Sequence, residues 1–262
     1  MRATATLLSK FHPAISLQGR HCLITGGSGA LGSSIAADMA RAGARVTLLG
    51  RNEAKLRAAL SEVQSSPPGQ EAVEQSGHKY LVVGEENEVK DAITAERKID
   101  VLVNAAGIPQ SSLLMKTDYE EVERILTSNL TLTIAACKAA MRPLMRAAPD
   151  SCIINLSSVL GTHGGRGSSV YAASKAGIIG LTRSLAAELG PLGIRVNCLV
   201  PGYIQAGMTE STQGVPVKPE QIPLRRYGHA SEVAHAAMFL ATNRYANNCV
   251  LNVDGGLSAG LV

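Results

Sequence analysis

Tryptophan is absent from the 262 residues, and aromatic side chains make up only 3% of them. Any core must therefore be built from Ala, Val, Leu and Ile, which suit a parallel sheet held between close-packed helices. Cysteine is sparse as well. Cys22, Cys137, Cys152, Cys198 and Cys249 are scattered and form no C-x-x-C pair. That argues against a disulfide or zinc framework and for free thiols in a reducing compartment. Cys22, Cys152 and Cys198 lie in apolar, strand-like runs, where a cysteine serves as a small hydrophobe. No apolar stretch approaches the ~18 residues that a membrane span needs, so no membrane association is expected. Net charge is +4 without a basic block, which argues against nucleic acid as the main partner. No acidic residue precedes Asp38. The stretch Met1–Leu17, with Arg2, Lys10 and His12 among Ser and Thr, has the composition of a short mitochondrial presequence; an ordinary disordered extension fits it equally. The expected location is the mitochondrial matrix or the cytoplasm. Residues 1–17 read as an extension and 18–262 as one domain, a length at which α/β folds commonly stay single.

What the chain does contain is a steady alternation of short apolar runs with helix-period segments. Strands are expected at His21–Thr25, Ala44–Leu49, Lys79–Val83, Asp100–Asn104, Ser151–Leu156, Ile194–Leu199 and Cys249–Val253. Helices are expected at Ala30–Ala42, Glu53–Ser65, Glu86–Arg97, Tyr119–Ala147, Val170–Leu189 and Ser231–Leu240. Near-continuous apolar strands separated by helices imply parallel pairing through right-handed crossovers. The fold class is therefore α/β, a single-domain Rossmann-like doubly wound parallel sheet of about seven strands with helices on both faces. Ser65–Gly77, with Pro67, Pro68 and Gly69, reads as a surface loop. Pro201–Gln221, beyond the end of a strand, reads as a mobile substrate loop.

Directly after the first strand comes Thr25-Gly26-Gly27-Ser28-Gly29-Ala30-Leu31-Gly32 and then a helix. Glycines there allow a tight turn and close approach to a pyrophosphate, whose charge a helix N-terminus stabilises. In this strand–loop–helix setting the pattern is a strong dinucleotide signal. At the end of the second strand NAD binders place an acid that accepts from the ribose hydroxyls. This chain has Gly50-Arg51-Asn52, and the Arg51 guanidinium can pair with a 2′-phosphate. The expected cofactor is NADPH; a solvated arginine at a helix start is the plainer reading of Arg51.

Val170-Tyr171-Ala172-Ala173-Ser174-Lys175 opens a long helix and sets Tyr171 and Lys175 on one face. A free tyrosine titrates near ~10, and a neighbouring cation lowers that value. The pair is a candidate acid for a carbonyl oxygen becoming an alcohol. Upstream, Ile153-Ile154-Asn155-Leu156-Ser157-Ser158 is a buried strand ending in hydroxyls. One of them could hold a carbonyl opposite the tyrosine, or both could simply cap the strand.

Taken in order, these segments resemble the short-chain dehydrogenase/reductase family from Leu17 to Leu257. The resemblance includes Asn104-Ala105-Ala106-Gly107, the Asn129 segment, Ser158 with Tyr171 and Lys175, Arg195-Val196-Asn197, Pro201-Gly202 and Asn252-Val253-Asp254-Gly255-Gly256. It implies a catalytic tetrad of Asn129, Ser158, Tyr171 and Lys175. In that scheme Ser158 orients the carbonyl, Tyr171 donates the proton, Lys175 lowers the tyrosine pKa and binds the nicotinamide ribose, and Asn129 holds a relay water. It further implies cofactor contacts from Gly26, Ser28, Gly29, Leu31, Gly32, Arg51, Asn104, Ala105, Gly107, Pro201, Gly202 and Ile204, with no metal. Within the family the chain is most similar to 3-oxoacyl-acyl-carrier-protein reductases. The pointers are Leu113-Leu114-Met115-Lys116, Cys137-Lys138-Ala139-Ala140-Met141-Arg142 and Ile222-Pro223-Leu224-Arg225-Arg226-Tyr227-Gly228. The resemblance thus implies NADPH-dependent reduction of a 3-oxoacyl thioester by a homotetramer. Lys138, Arg142 and Arg146 fall on one helical face that could meet an acidic carrier protein, or could simply face solvent. A reductase of another small ketone or alcohol, and a non-catalytic cofactor-binding subunit, are the rival readings.

Four positions depart from the family pattern. Ala30 stands at the middle glycine of the loop. Gly29 replaces a frequent second arginine, leaving Arg51 largely alone. Val82-Val83-Gly84 lacks the usual Asp after the third strand, beside a short Glu86–Arg97 segment. Ala206-Gly207 replaces a Thr-Asp pair.

Overall fold

The computed structural model describes residues 16–65, 77–205 and 217–260. The expectations for residues 1–15, for 66–76, and for 206–216 with Ala206-Gly207 fall outside that range. Seven parallel strands form one sheet in the order β3-β2-β1-β4-β5-β6-β7. They are β1 His21–Thr25, β2 Arg45–Gly50, β3 Lys79–Val82, β4 Val101–Asn104, β5 Ser151–Leu156, β6 Ile194–Pro201 and β7 Val250–Val253. Strand order reverses between β1 and β4, and a crevice opens at the carboxyl ends of strands at such a switch point.

The sheet faces divide the six longest helices three to a side, because side chains alternate along each strand. Cys22, Ile24, Val46, Leu48, Val101 and Ile154 pack against α1 (Ala30–Arg41), α2 (Glu53–Ser65) and α8 (Ala230–Thr242). Leu23, Leu49, Leu102, Ile153 and Val196 pack against α3 (Glu86–Thr94), α5 (Leu132–Met145) and α7 (Ser169–Leu189). The α1–α8 contact is lined by Ala36, Ala40, Ala234, Ala237 and Ala241, so the helices approach closely without aromatic filler. All five cysteines are free, and four are buried.

Two boundaries differ for identifiable reasons. The expected helix Tyr119–Ala147 is α4 (Tyr119–Leu126), a π-helical turn Thr127–Thr131, and α5. The turn is widened by the Leu132 N–H reaching back to the Thr127 carbonyl, and the Thr133 hydroxyl donates to the Asn129 carbonyl at 3.0 Å. The Glu86–Arg97 segment stops at Thr94 as α3, leaving Glu96 buried beside Lys79, whose ammonium pairs with it at 2.6 Å. A short helix unread in the sequence, α6 (Leu160–His163), follows β5. Arg195 has a structural reason to be where it is. Its guanidinium donates to the carbonyls of Leu240, Ala241 and Ala246, closing the C-terminus of α8.

Candidate active site

The crevice at the switch point is a cleft of about 980 Å³ running from Arg51 and Lys55 at one end to Tyr171 and Tyr203 at the other. That is the upper range for small-molecule and cofactor sites. Its floor is the loop between β1 and α1. Gly26 has φ +66°, and a Cβ there would sit 2.6 Å from the Ala106 nitrogen. A Cβ on Gly32 would collide with the Gly26 carbonyl. Backbone thus packs on backbone, and only glycine fits. Gly29 is the N-cap of α1 and no side chain caps that helix. Its first turn, Ala30 to Gly32, therefore meets the cleft with free N–H groups and the positive end of the helix dipole. This cradle fits a dinucleotide pyrophosphate. Ala30, at the departing position, is the first residue of the helix and is tolerated there.

At the β2 end Arg51 is exposed and lines the cleft, but it is not alone. Lys55, one turn into α2, shares the same wall. The sequence reading missed it. Asn52 is the local cap, its side-chain oxygen accepting the Lys55 N–H at 2.9 Å. Opposite, where the usual Asp is missing, Glu88 of α3 accepts the backbone N–H groups of Gly84 and Glu85, which lowers its pKa. Val83 and Val89 supply an apolar wall there.

The reactive end is assembled from β5, α6 and α7. The two hydroxyls after β5 divide the work. Ser157 is buried and donates to the Lys175 carbonyl at 2.7 Å, tying the strand to α7. Ser158 lines the cleft, accepts the Leu160 N–H at 3.2 Å and hydrogen-bonds the Tyr171 side chain. One turn along α7, Lys175 is 4% exposed; its Nζ lies 5.8 Å from the centre of the Tyr171 ring and donates to the Leu156 carbonyl at 2.9 Å. Burial pulls its pKa down to about 8. The expectation that Lys175 brings the phenol below its ordinary range needs correction. Burial raises the Tyr171 pKa, the Ser158 hydrogen bond opposes that rise only in part, and Tyr203 adds to it. The phenol thus holds its proton to higher pH than a free tyrosine, and the Lys175 ammonium is engaged by a carbonyl.

Two residues expected at the cofactor or substrate do not line the cleft. Asn104 is buried beneath it, donating to the Asn155 side chain at 2.8 Å; Asn155 in turn donates to Thr182. Asn129 is fully buried. Its oxygen accepts the Ile108 N–H at 2.7 Å and its nitrogen donates to the Ile108 carbonyl and the Ser174 hydroxyl. Both look inward because the alternation of β4 and the π turn direct them to the helix layer. A Cβ on Gly107 would touch Asn129 Oδ1 at 3.2 Å and Lys175 Nζ at 3.3 Å, so the two still flank one point of the cleft wall. Gly26, Ser28, Gly29, Leu31, Gly32, Ala105, Gly107, Pro201, Gly202 and Ile204 all line the cleft. Gly202 is pinned against Asp254, 2.8 Å from a would-be Cβ, and Ile204 bridges to Gly228. The substrate end adds Ile108, Pro109, Leu113, Leu160 and Tyr203, an apolar set the sequence did not announce.

A doubly wound sheet, a glycine cradle at its switch point and a Ser–Tyr–Lys cluster beside it define an oxidoreductase that works with a nicotinamide dinucleotide. The comparisons agree. A family model described as Enoyl-(Acyl carrier protein) reductase matches residues 27–258. A human 3-oxoacyl-[acyl-carrier-protein] reductase is 37% identical over 244 residues, 90% of this chain and 97% of that protein. The 3-oxoacyl-[acyl-carrier-protein] reductase FabG of Chlamydia trachomatis is 38% identical over 92% of this chain and 98% of its own. Among solved structures, a short-chain type dehydrogenase/reductase from Mycobacterium ulcerans superposes with TM-score 0.83 at 29% identity, covering 93% of this chain and 91% of that one. A Pseudomonas aeruginosa RhlG/NADP active-site complex gives TM-score 0.85 at 28% identity, over 94% and 99%. The chain belongs to the short-chain dehydrogenase/reductase family.

Proposed function

We propose that this protein is an NADPH-dependent ketoreductase that converts a 3-oxoacyl thioester to the 3-hydroxyacyl product. The observation that carries the reading is the convergence of Ser158, Tyr171 and Lys175 at the apolar end of a cleft whose other end holds Arg51 and Lys55. Gly26, Gly29 and Gly32 with the first turn of α1 would hold the pyrophosphate, and the two cations would pair with a 2′-phosphate. When bound, the reduced nicotinamide supplies hydride to a carbonyl carbon. The chain supplies the rest. Ser158 donates a hydrogen bond that orients the carbonyl, and Tyr171, kept protonated by burial, gives its proton to the oxygen. Lys175, held through the Leu156 carbonyl, would bind the nicotinamide ribose. Ile108, Pro109, Leu113, Leu160 and Tyr203 exclude water and suit an acyl chain.

The relatives named for 3-oxoacyl-carrier reduction support the thioester. Lys138 and Arg142, exposed on α5, are a surface an acidic carrier protein would meet, whereas Arg146 donates to the Arg97 carbonyl. Exposed Ile134 and Met145 on α5, and Ala173, Ala176 and Gly180 on α7, support a homotetramer joined through these helices; a monomer by light scattering would refute it. Free, mostly buried thiols suit the mitochondrial matrix or cytoplasm.

The test is a panel of acetoacetyl thioester, an enoyl thioester and small ketones and polyols, each followed by nicotinamide absorbance with NADPH and with NADH. Acetoacetyl reduction with NADPH is expected to lead. Arg51→Glu is expected to raise KM for NADPH about 10-fold to 100-fold, as the loss of a charge-assisted pair implies, while KM for NADH changes little. A preferred polyol, or a variant indifferent to the cofactor, overturns the substrate or the cofactor part respectively. Silence on every substrate favours a non-catalytic subunit.

A further inference from the structure

The loop after β4 turns back onto the start of α7, and one buried side chain joins them. Gln110 Oε1 accepts the N–H of Val170 at 2.8 Å and that of Tyr171 at 3.1 Å. Its Nε2 donates to the Ser112 carbonyl and the Thr117 hydroxyl, both at 3.2 Å. A side-chain amide offers two acceptor sites and two protons, and all four are used. Thr117 is itself tied to the Leu113 carbonyl and the Ser112 hydroxyl. Meanwhile Ser168, the N-cap residue of α7, makes no capping hydrogen bond, although serine ordinarily does so. Two of the free N–H groups of the catalytic helix are thus satisfied from outside it, by the loop that carries Ile108 and Pro109 into the cleft wall.

We propose that Gln110 is a positioning residue for Tyr171: its amide caps α7 in trans and sets where the phenol stands relative to the cofactor wall. The geometry separates the two members of the Tyr–Lys pair. Tyr171 is in the first turn of α7, where helices fray, and its own N–H is one of the two that Gln110 holds. Lys175 is a turn deeper and is anchored independently, by its Nζ on the Leu156 carbonyl and by Ser157 on its own carbonyl. The other end of the loop is clamped as well, since Asn129 holds both backbone groups of Ile108. The loop therefore transmits a fixed position from Asn129 to the acid, through one amide. Loss of that amide should move Tyr171 and spare Lys175.

Gln110→Leu keeps the volume and removes all four hydrogen bonds; Gln110→Glu keeps the acceptor oxygens for both N–H groups. The kinetic readout rests on the reading above, so a second readout free of turnover accompanies it: the Tyr171 phenol titration, taken as an ultraviolet difference against Tyr171→Phe in each background. Gln110→Leu is expected to lower kcat by about 10-fold to 100-fold, the scale of a misplaced catalytic group, with the Kd for NADPH within about 3-fold of wild type. Its Tyr171 titration should move toward the ordinary tyrosine value as water reaches the frayed turn, and Gln110→Glu should recover most of kcat. Should Gln110→Leu not fold, Gln110→Asn, which withdraws the amide by one methylene, carries the same comparison. Unchanged kcat and titration in a folded variant overturn the proposal. So does a parallel fall of kcat, NADPH affinity and thermal midpoint in both variants, which would mark a merely structural cap. If the wild type reduces no carbonyl, the ketoreductase reading fails and the phenol titration alone decides the role of Gln110.

Discussion

Tyr171→Phe is expected to lower carbonyl reduction by at least about 100-fold, and up to about 10⁴-fold, the range that a positioned general acid contributes. The Kd for NADPH should stay near that of wild type, because the glycine cradle, Arg51 and Lys175 are untouched. Phenylalanine keeps the ring that packs with Ile108, Ile125 and Val170 and removes only the hydroxyl, so the fold should survive. The Ser158 hydroxyl loses one partner but stays in reach of water in the cleft. The same arrangement fixes the sign of the pH dependence. The Lys175 pKa is lowered to about 8 by burial, so its ammonium is present below that pH and is lost as pH rises through it. The phenol, raised by burial, keeps its proton over the same interval. With NADPH varied, kcat/KM reports groups of the free enzyme and should fall above pH about 8 in a single-proton step. Full turnover by the phenylalanine variant, or a profile that rises across that interval, would contradict the assignment of the acid.

Gly26→Ala is expected to be the most damaging small change outside the reactive end. Gly26 lies at φ +66°, a region that costs an alanine about 1–2 kcal/mol. The new Cβ would stand 2.6 Å from the Ala106 nitrogen and 2.7 Å from the Ala105 carbonyl carbon, both backbone atoms that cannot swing aside. Overpacking of that kind adds about 1–3 kcal/mol. Strain on this scale either distorts the cradle or pushes it off the loop after β4, and both move the free N–H groups of α1 from the phosphate. NADPH binding, followed by fluorescence titration, should weaken by at least about 30-fold, the ratio that about 2 kcal/mol represents. Circular dichroism separates loss of binding from loss of fold. Wild-type affinity in a folded Gly26→Ala protein would show that the loop does not cradle the cofactor.

How much of this was legible beforehand depended on the kind of contact involved. The glycine cradle, Arg51 and the Tyr171–Lys175 face were readable because they are local. A turn needing glycine, a missing acid at a strand end and a four-residue helical spacing are all written within a few positions of each other. The strands were found to within one residue for the same reason, except at β6, which runs two residues further, to Pro201. Adjacent hydroxyls were ambiguous. Ser157 and Ser158 differ only in which one points at α7 and which at the cleft, and that is decided by the twist of β5 against its neighbours. Asn104 was expected at the cofactor and Asn129 at a relay water, yet both look into the helix layer, where Asn155 and the Ile108 backbone meet them. Lys55 and Gln110 gave no warning at all. One is an ordinary helix-surface lysine and the other an ordinary loop amide until the fold brings them to Arg51 and to α7.

By itself, then, the amino-acid order determined the α/β class, the strand succession, the dinucleotide loop and the spacing of the acid and its cation, because periodicity and turn chemistry act over short stretches of chain. The tertiary structure alone decided which serine faces the cleft, that burial keeps the phenol protonated, and that a glutamine 61 positions upstream of Tyr171 holds its helix in place. Those outcomes follow from desolvation and from hydrogen bonds between segments far apart in the chain, and neither exists until the sheet has closed its helices around it.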